Sequence, residues 1–276
     1  MKQKKLKMIA LEIILIIAAF AFIYPIVLIL YNSFKSFSEI MLNVISFPTV
    51  FELKNYTDVW NMLNYPRIFL NTLIITSFST AGIVLAGSMA GYKLSRTKTR
   101  YSWLVFTLCI TPMMIPFQST MITLVQEAKF LHLTGNMPGL AVLYWGINSP
   151  FVMFLYHGYV KSLPKELDES ASIDGCSALR TFFSIILPVM KPMTITVVVI
   201  NFTQIWNDFL LPLLMVNSNK STRTLQLAAY SFFGQYIQQW NLALAAVIMT
   251  VTPSVIFFLL LQKHIIKGVA AGAVKG

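Results

Sequence analysis

Long apolar runs separated by short polar segments dominate the chain. Six of these runs reach about 20 residues, which is the length a helix needs to cross roughly 30 Å of hydrocarbon. We place them approximately at residues 9–31, 68–92, 102–124, 137–159, 193–216 and 242–262. The pattern therefore predicts an all-α membrane protein with six transmembrane helices.

The first run follows several lysines, so a cleaved signal peptide is an alternative interpretation. Its apolar stretch is longer than a typical signal core, and no small-x-small cleavage pattern follows it. The chain continues instead with the polar residues Asn32 and Ser33, and Lys35 lies close behind. We interpret this run as an uncleaved first transmembrane helix.

The distribution of charge predicts how the helices are oriented. Only 11% of the 276 residues are charged, against about 25% in a typical soluble domain. With the N-terminus inside, 15 of the 21 basic residues fall in inner segments and 6 in outer ones. This asymmetry follows the positive-inside rule and places both termini, residues 1–8 and the tail 263–276, in the cytoplasm. The net charge of +11 would also suit a nucleic-acid-binding protein, but clusters between apolar runs favour membrane topology.

Three hydrophilic segments remain, and none is a separate soluble domain. Two are outer loops, at 32–67 and 217–241, and the third is an inner loop at 160–192. No G-x-x-x-x-G-K-[ST] loop occurs, so any ATP that drives this protein is expected to be bound by another chain. Cys109, Cys176 and the three histidines are scattered, which predicts no metal site, no cofactor and no disulfide framework.

The inner loop has the local pattern of a short helix. Pro164 suits the first turn, where a missing N–H costs nothing, and Glu166 and Asp168 place negative charge near the positive helix end. Gly175 suits a left-handed stop. The loop is thus expected to present a small rigid helix with a face of small residues, although a solvated connector would look similar.

The same loop carries a longer motif, E-A-A-x-x-x-G followed after nine intervening residues by I-x-L-P. The matching positions are Glu169, Ser170, Ala171, Gly175, Ile185, Leu187 and Pro188. Ser170 departs from the motif by replacing the first alanine, a small-for-small change. The pattern resembles the cytoplasmic signature of ABC importer permeases. This resemblance implies a type I importer permease fold, in which the loop is the coupling helix that docks into the ATP-binding subunit.

Other segments resemble the carbohydrate branch of that family. They are 69–73 (FLNTL), 90–96 (AGYKLSR), 114–118 (MIPFQ), 206–210 (WNDFL) and 270–276 (AAGAVKG). The overall pattern is similar to the second permease of maltose and multiple-sugar importers. It implies a bacterial inner-membrane complex with a non-identical second permease, a dimer of ATP-binding subunits and an extracytoplasmic sugar-binding protein. In such a complex the outer loop 217–241 meets the binding protein and the tail after Lys263 reaches the ATP-binding subunits.

Polar residues inside the predicted spans are candidates for a translocation path. Asp208 lies beyond the middle of the fifth span if that helix is continuous, and a charge there suggests a function or a pairing partner. Gln204 and Asn207 would share its helix face, and Gln118 follows two prolines, Pro112 and Pro116, that interrupt the third span. The alternative is that these groups only tie helices together.

Two other functions remain open at this stage. A permease for a different solute, such as a polyamine, phosphate or an amino acid, would satisfy the cytoplasmic motif but not the carbohydrate-type segments. An intramembrane enzyme would need a second titratable group beside Asp208, and the sequence contains no H-E-x-x-H motif. Sugar import therefore remains the main prediction, with the substrate's identity and length left open.

Overall fold

The computed structural model describes the backbone of residues 2–235 and 239–273 and the side chains of residues 7–233, 239–260 and 262. Regular structure within these ranges is entirely helical, which confirms the all-α prediction. The first seven helices are α1 (Lys2–Asn32), α2 (Phe37–Leu42), α3 (Lys54–Leu63), α4 (Tyr65–Arg96), α5 (Arg100–Ile110), α6 (Phe117–Phe130) and α7 (Met137–Lys161). The next seven are α8 (Glu166–Ile173), α9 (Ala178–Thr181), α10 (Leu187–Val189), α11 (Lys191–Asn207), α12 (Leu210–Val216), α13 (Leu225–Gln235) and α14 (Trp240–Ala273).

Four helical segments in the described ranges are long and apolar enough to cross a membrane. They are Lys7–Asn32, Tyr65–Arg96, Met137–Lys161 and Trp240–Leu260. Two further candidates are bent pairs, Arg100–Met114 with Phe117–Phe130 at 107° and Ala178–Val189 with Lys191–Asn207 at 79°. Counting each pair as one span gives up to six, the number that the apolar runs predict.

The predicted third span, 102–124, is not one straight helix. After α5 a 3₁₀ turn runs from Thr111 to Met114, and α6 begins at Phe117 in a new direction. Pro112 and Pro116 cannot donate helical N–H bonds, and their rings clash with the preceding turn. The interruption expected from these prolines is therefore present, and it is a sharp bend.

The predicted fifth span, 193–216, is likewise not one continuous helix. Helix α11 ends at Asn207, Asp208 has an extended backbone with ψ 130°, and α12 begins at Leu210. In an unbroken helix Pro212 would clash with the carbonyl of Asp208 and leave it without a partner. The break therefore occurs four residues before the proline, at the charged residue.

The last span extends beyond its predicted end at 262, because α14 continues to Ala273. The predicted tail 263–276 thus begins within a helix. Residues 274–276 and the side chains from 263 onward lie outside the described residues, as do residues 236–238 of the outer loop 217–241. The role expected of the tail remains a prediction.

The chain divides into two units, of which the smaller comprises residues 1–66 and 228–253. The predicted outer loop 32–67 belongs to this unit and is folded, as the complete burial of Lys35 shows. The ammonium of Lys35 donates to the carbonyl of Asn43 at 2.9 Å and to the hydroxyl of Ser46 at 3.3 Å, and it lies 5.2 Å from the ring centre of Tyr31. Burial raises the pKa of Tyr56 in the same unit, so this phenol stays protonated beside Ser33.

A second feature of this unit compensates for a proline inside α14. Pro253 leaves the carbonyl of Met249 without its helical donor. The hydroxyl of Tyr65 donates to that carbonyl at 3.0 Å. A neighbouring helix thereby satisfies the freed backbone group, as is required where water is absent.

The larger unit comprises residues 67–227 and 254–276, and α7 runs through its core. Helix α4 approaches α7 closely at Gly87 and Gly91, which have the G-x-x-x-G spacing of close helix contacts. A Cβ at Gly91 would lie 2.7 Å from the Cβ of Tyr156 and 2.8 Å from the carbonyl oxygen of Met153. Only glycine permits this contact, so the pair sets the distance between the two helices.

Candidate functional site

The inner loop contains the predicted short helix, α8. Lys165 precedes its first turn, which carries Glu166, Asp168 and Glu169. Gly175 has φ +71°, and the N–H of Cys176 donates to the carbonyl of Ala171 at 2.9 Å. Acidic residues at the positive end and a left-handed glycine after the last turn therefore define both ends of α8.

A single arginine fastens α8 to the end of α4. The Nε of Arg96 lies 2.8 Å from Oδ2 of Asp168, as an ion pair rather than an aligned hydrogen bond. Its two Nη atoms donate to the carbonyls of Val160, Leu163 and Pro164 at 3.1–3.3 Å. The planar guanidinium can hold several acceptors at once, so α4, the end of α7 and α8 are joined at this residue.

Tyr92 completes this attachment from one turn earlier on α4. Its hydroxyl donates to Oδ1 of Asp168 at 2.5 Å. The Asp168 carboxylate thus has one oxygen facing a cation and the other facing a phenol. Sequence reasoning missed both Arg96 and Tyr92 as site residues, although their i, i+4 spacing at a helix end would have allowed them to act together.

Helix α8 and helix α9, which follows it, each expose one large apolar side chain. Ile173 is 86% exposed and Leu179 is 60% exposed. Of the motif residues, Glu169, Ser170 and Gly175 are also exposed, whereas Ala171 is buried. The first half of the motif therefore presents one anchoring side chain inward and an open surface outward.

The second half of the motif lies where the backbone widens into a π-helix, Phe182–Ile186. Ile185 and Leu187 are half-buried and pack against the core, and Pro188 is exposed. Pro188 has no N–H for the carbonyl four residues earlier, which favours such a widening. This segment leads through α10 into α11.

A second polar group lies between α7 and the break after α11. Asp208 accepts a hydrogen bond from the hydroxyl of Tyr144 at 2.9 Å and one from the N–H of Leu210 at 3.0 Å. One turn along each helix, the amide of Gln204 donates to Asn148 at 3.4 Å. Within the described side chains Asp208 has no cationic partner. Its charge is held by neutral donors.

The four predicted path residues are only partly brought together. Gln204 and Asp208 both contact α7, but Asn207 donates to Ser254 on α14 at 3.0 Å and accepts from Gln226 at 3.2 Å. The expectation of one shared face for Gln204, Asn207 and Asp208 is therefore wrong, because the helix ends between Asn207 and Asp208. Gln118 is exposed on the first turn of α6, a different element.

The polar stretch that begins the outer loop 217–241 is anchored to α4. The amide of Asn71 donates to the carbonyls of Ser221 and Arg223 at 2.8 and 3.1 Å. The hydroxyl of Thr72 accepts from the N–H of Leu225 at 2.9 Å, at the first residue of α13. The segment 69–73 thus holds this loop, and the loop becomes a helix rather than an open connector.

Within the described residues, no group of three or more His, Cys, Asp or Glu side chains could hold a metal ion. The geometry instead offers two arrangements. One is a rigid helix held by Arg96 with an apolar outward face. The other is a line of hydrogen-bonding groups between two helices, Tyr144 and Asn148 on α7 facing Asp208 and Gln204.

Residues 82–270 match the model of the family described as "Binding-protein-dependent transport system inner membrane component". The chain is 44% identical over 94% of both sequences to the "Probable starch degradation products transport system permease protein AmyC" of Thermoanaerobacterium thermosulfurigenes. It is 34% identical, again over 94% of both, to the "Melibiose/raffinose/stachyose import permease protein MelC" of Bacillus subtilis.

The fold is also similar to that of a chain in the crystal structure of a bacterial ABC transporter that imports the acidic polysaccharide alginate. The TM-score is 0.83 at 20% identity, with 95% of this chain and 98% of that one covered. At this identity the likeness concerns the fold, and it agrees with the importer permease architecture that the inner loop predicts. The chain is a multi-pass membrane protein and belongs to the family of inner-membrane components of binding-protein-dependent transport systems.

Proposed function

We propose that this chain is a permease subunit of an ATP-driven importer of sugars or oligosaccharides. The observation that carries the proposal is its 44% identity, over nearly the whole length, to a permease named for starch degradation products. A second relative is named for melibiose, raffinose and stachyose. The substrate class is therefore a neutral saccharide, delivered by an extracytoplasmic binding protein.

In this proposal α8 is the coupling helix. Its partner is one of two ATP-binding subunits, and a second, non-identical permease completes the membrane part. The exposed side chains of Ile173 and Leu179 supply an apolar surface for docking. Arg96 joins α8 to α4 and α7. Movement of the docked subunit would therefore be passed to two membrane helices as one rigid body.

The proposed path for the sugar runs along the polar groups between α7 and α11. Asp208, Gln204 and Asn148 offer acceptors and donors of the kind that sugar hydroxyls use. Gln204 is exposed in the single chain, so it remains able to exchange its 3.4 Å contact for a ligand. Alternation between inward and outward states, driven by ATP in the partner subunits, would expose this path to each side in turn.

Transport by the reconstituted complex tests the substrate class. The chain would be co-expressed with its partner permease, ATP-binding subunit and binding protein, and inserted into vesicles. We expect binding-protein-stimulated ATP hydrolysis and uptake with maltodextrins or raffinose-type galactosides. Stimulation by a polyamine, phosphate or an amino acid, with none by any saccharide, would refute the sugar assignment while leaving the family intact.

The coupling role has a matched pair of variants. Gly175 and Gly135 both have left-handed backbones, with φ +71° and +77°, and in both a Cβ would meet nothing within 4 Å. Asp at either position imposes the same backbone strain of about 1 kcal/mol. We expect Gly175→Asp to abolish binding-protein stimulation of ATP hydrolysis and Gly135→Asp to retain most of it. If both variants retained binding-protein stimulation of ATP hydrolysis, α8 would be a connector only.

A further inference from the structure

A cavity of about 790 Å³ opens between the ends of α4, α5 and α7. It is distinct from the Asp208 group, and it lies beside the attachment of α8. Its wall includes Leu163 and Lys165 of the segment that leads into α8, together with Arg96. Its size is typical of ligand sites, which span about 300–1,000 Å³.

The rim of this cavity is basic. Lys98, Lys161 and Lys165 line it with exposed side chains, and Arg96 stands behind them in its ion pair with Asp168. Among the described residues that line the cavity, none is acidic. Three ammonium groups thus face one opening without a carboxylate to neutralise them, which favours an anionic occupant.

Five of the side chains that line the cavity are apolar or aromatic: Leu94, Trp103, Phe106, Ile110 and Leu163. The side chain of Trp103 lines the cavity and is 68% exposed. It lies near the start of α5, which is part of a candidate membrane span. Phe106 lines the same wall and stacks on His157, with ring centres 3.9 Å apart. Tryptophan is enriched where hydrocarbon meets the headgroup layer. The occupant therefore has an apolar part as well as a negative charge.

An unpartnered hydroxyl marks the same wall. Ser95 is 8% exposed and lines the cavity, and its buried Oγ has no hydrogen-bond partner within the described part of the chain. Its neighbour across the wall, Ser102, donates to the carbonyl of Leu94 at 3.2 Å. The Oγ has less than 1 Å² of exposed area, so it forms part of the wall and does not by itself indicate an occupant.

We propose that this cavity binds the headgroup and upper acyl chain of an anionic phospholipid. A phosphate ester attached to hydrocarbon satisfies the basic rim, the apolar wall and the location at the end of membrane helices together. Lys165 is the N-cap residue of α8, so the bound lipid contacts the segment that carries the coupling helix. In the predicted orientation this site faces the cytoplasmic leaflet.

Trp103 provides a direct reporter. The assembled complex would be placed in phosphatidylcholine vesicles containing brominated phosphatidylglycerol or brominated phosphatidylcholine, and Trp103 quenching taken as the difference from Trp103→Phe. We expect preferential quenching by the anionic lipid. Each lysine is worth roughly fivefold in affinity, so the triple change of Lys98, Lys161 and Lys165 to Gln should reduce the preference at least tenfold.

The matched control removes three basic residues, Lys93, Arg180 and Lys191, that share the predicted cytoplasmic side but not the cavity. Their change to Gln should leave the preference intact. Equal losses in both triple variants would indicate diffuse surface charge and overturn the proposal. Displacement by millimolar inorganic phosphate would indicate a free-anion site, and no lipid preference in the native complex would also refute it. This measurement requires no sugar or nucleotide, so its outcome is separate from that of the transport assay.

Discussion

Two aspartates of the larger unit, Asp168 in α8 and Asp208 after α11, are held in opposite ways. Asp168 faces the guanidinium of Arg96 at 2.8 Å and the phenol of Tyr92. Asp208 accepts only neutral donors among the described residues, the hydroxyl of Tyr144 and one backbone N–H. Both oxygens of the Asp168 carboxylate have a charged or phenolic partner. The Asp208 carboxylate has no cation beside it among the described residues and lies next to a polar helix face.

This difference separates structural from functional polar groups. A partly buried ion pair becomes costly when one partner is removed, because the other charge remains without compensation. A carboxylate with neutral donors loses little stability when it is neutralised, since its charge is itself expensive near hydrocarbon. We therefore expect changes at Asp168 to affect folding and coupling, and changes at Asp208 to affect transport alone.

The largest effect is expected at Arg96. Arg96→Ala removes the ion pair and three carbonyl contacts and leaves Asp168 without a cation, which should lower the free energy of unfolding by about 3 kcal/mol. Unfolding in mixed micelles, followed by helical circular dichroism, measures this change. Lys93→Ala, an exposed position on the same helix, should change stability by less than about 0.5 kcal/mol. Equal stability of the two variants would remove the distinction between the aspartates.

The second largest effect is expected where α4 packs against α7. Helix α4 carries Arg96, the partner of Asp168, and α7 carries Tyr144, the partner of Asp208. Gly91→Ala would place a methyl group 2.7 Å from the Cβ of Tyr156, and overpacking of this kind costs about 2 kcal/mol. Gly158→Ala on α7 meets nothing within 4 Å and should stabilise by up to about 1 kcal/mol through helix propensity. The same unfolding assay compares them. A neutral Gly91→Ala would show that the two helices can separate without cost.

Much of the fold follows from the sequence. The apolar runs predict the long helices, and the paired prolines Pro112 and Pro116 predict the bend after α5. The break at Asp208 could also have been predicted from the sequence. Pro212 lies four residues further on, and in a continuous helix it would clash with the carbonyl of Asp208. Local rules therefore account for where helices begin, bend and end.

The candidate site was less predictable, for a physical reason. Arg96 and Asp168 are 72 positions apart, and Tyr144 and Asp208 are 64 apart, so tertiary packing alone brings them together. In the sequence Arg96 is one of the 15 basic residues of the inner segments and the last residue of the segment 90–96, with no sign of its partner. Polar residues within a span, such as Asn148, are a usable signal, but their partners cannot be read from spacing on a single helix.

Neutralising the two aspartates tests the comparison directly. Asp168→Asn should lower the free energy of unfolding by about 1.5 kcal/mol, because Arg96 loses its counter-charge. Asp208→Asn keeps an acceptor oxygen for the N–H of Leu210, and its NH2 group can donate to the hydroxyl of Tyr144. The free energy of unfolding should therefore change by less than about 0.5 kcal/mol, while sugar uptake falls at least tenfold. Unfolding and uptake are measured on the same preparations. Equal losses of stability at the two positions would contradict the assignment of separate roles.

The smallest effect is expected at Gln204, and it decides how far the polar path extends from Asp208. Its contact with Asn148 is 3.4 Å long, near the limit for a hydrogen bond, so Gln204→Met should change stability by less than about 0.5 kcal/mol. If a sugar hydroxyl replaces that contact, KM for uptake should rise about fivefold, a loss of roughly 1 kcal/mol of binding. Gln118→Met is the matched control, because Gln118 is also exposed but lies on α6. A larger rise in KM for Gln118→Met would place the path along the bend after α5, and would leave Asp208 with a role in helix packing.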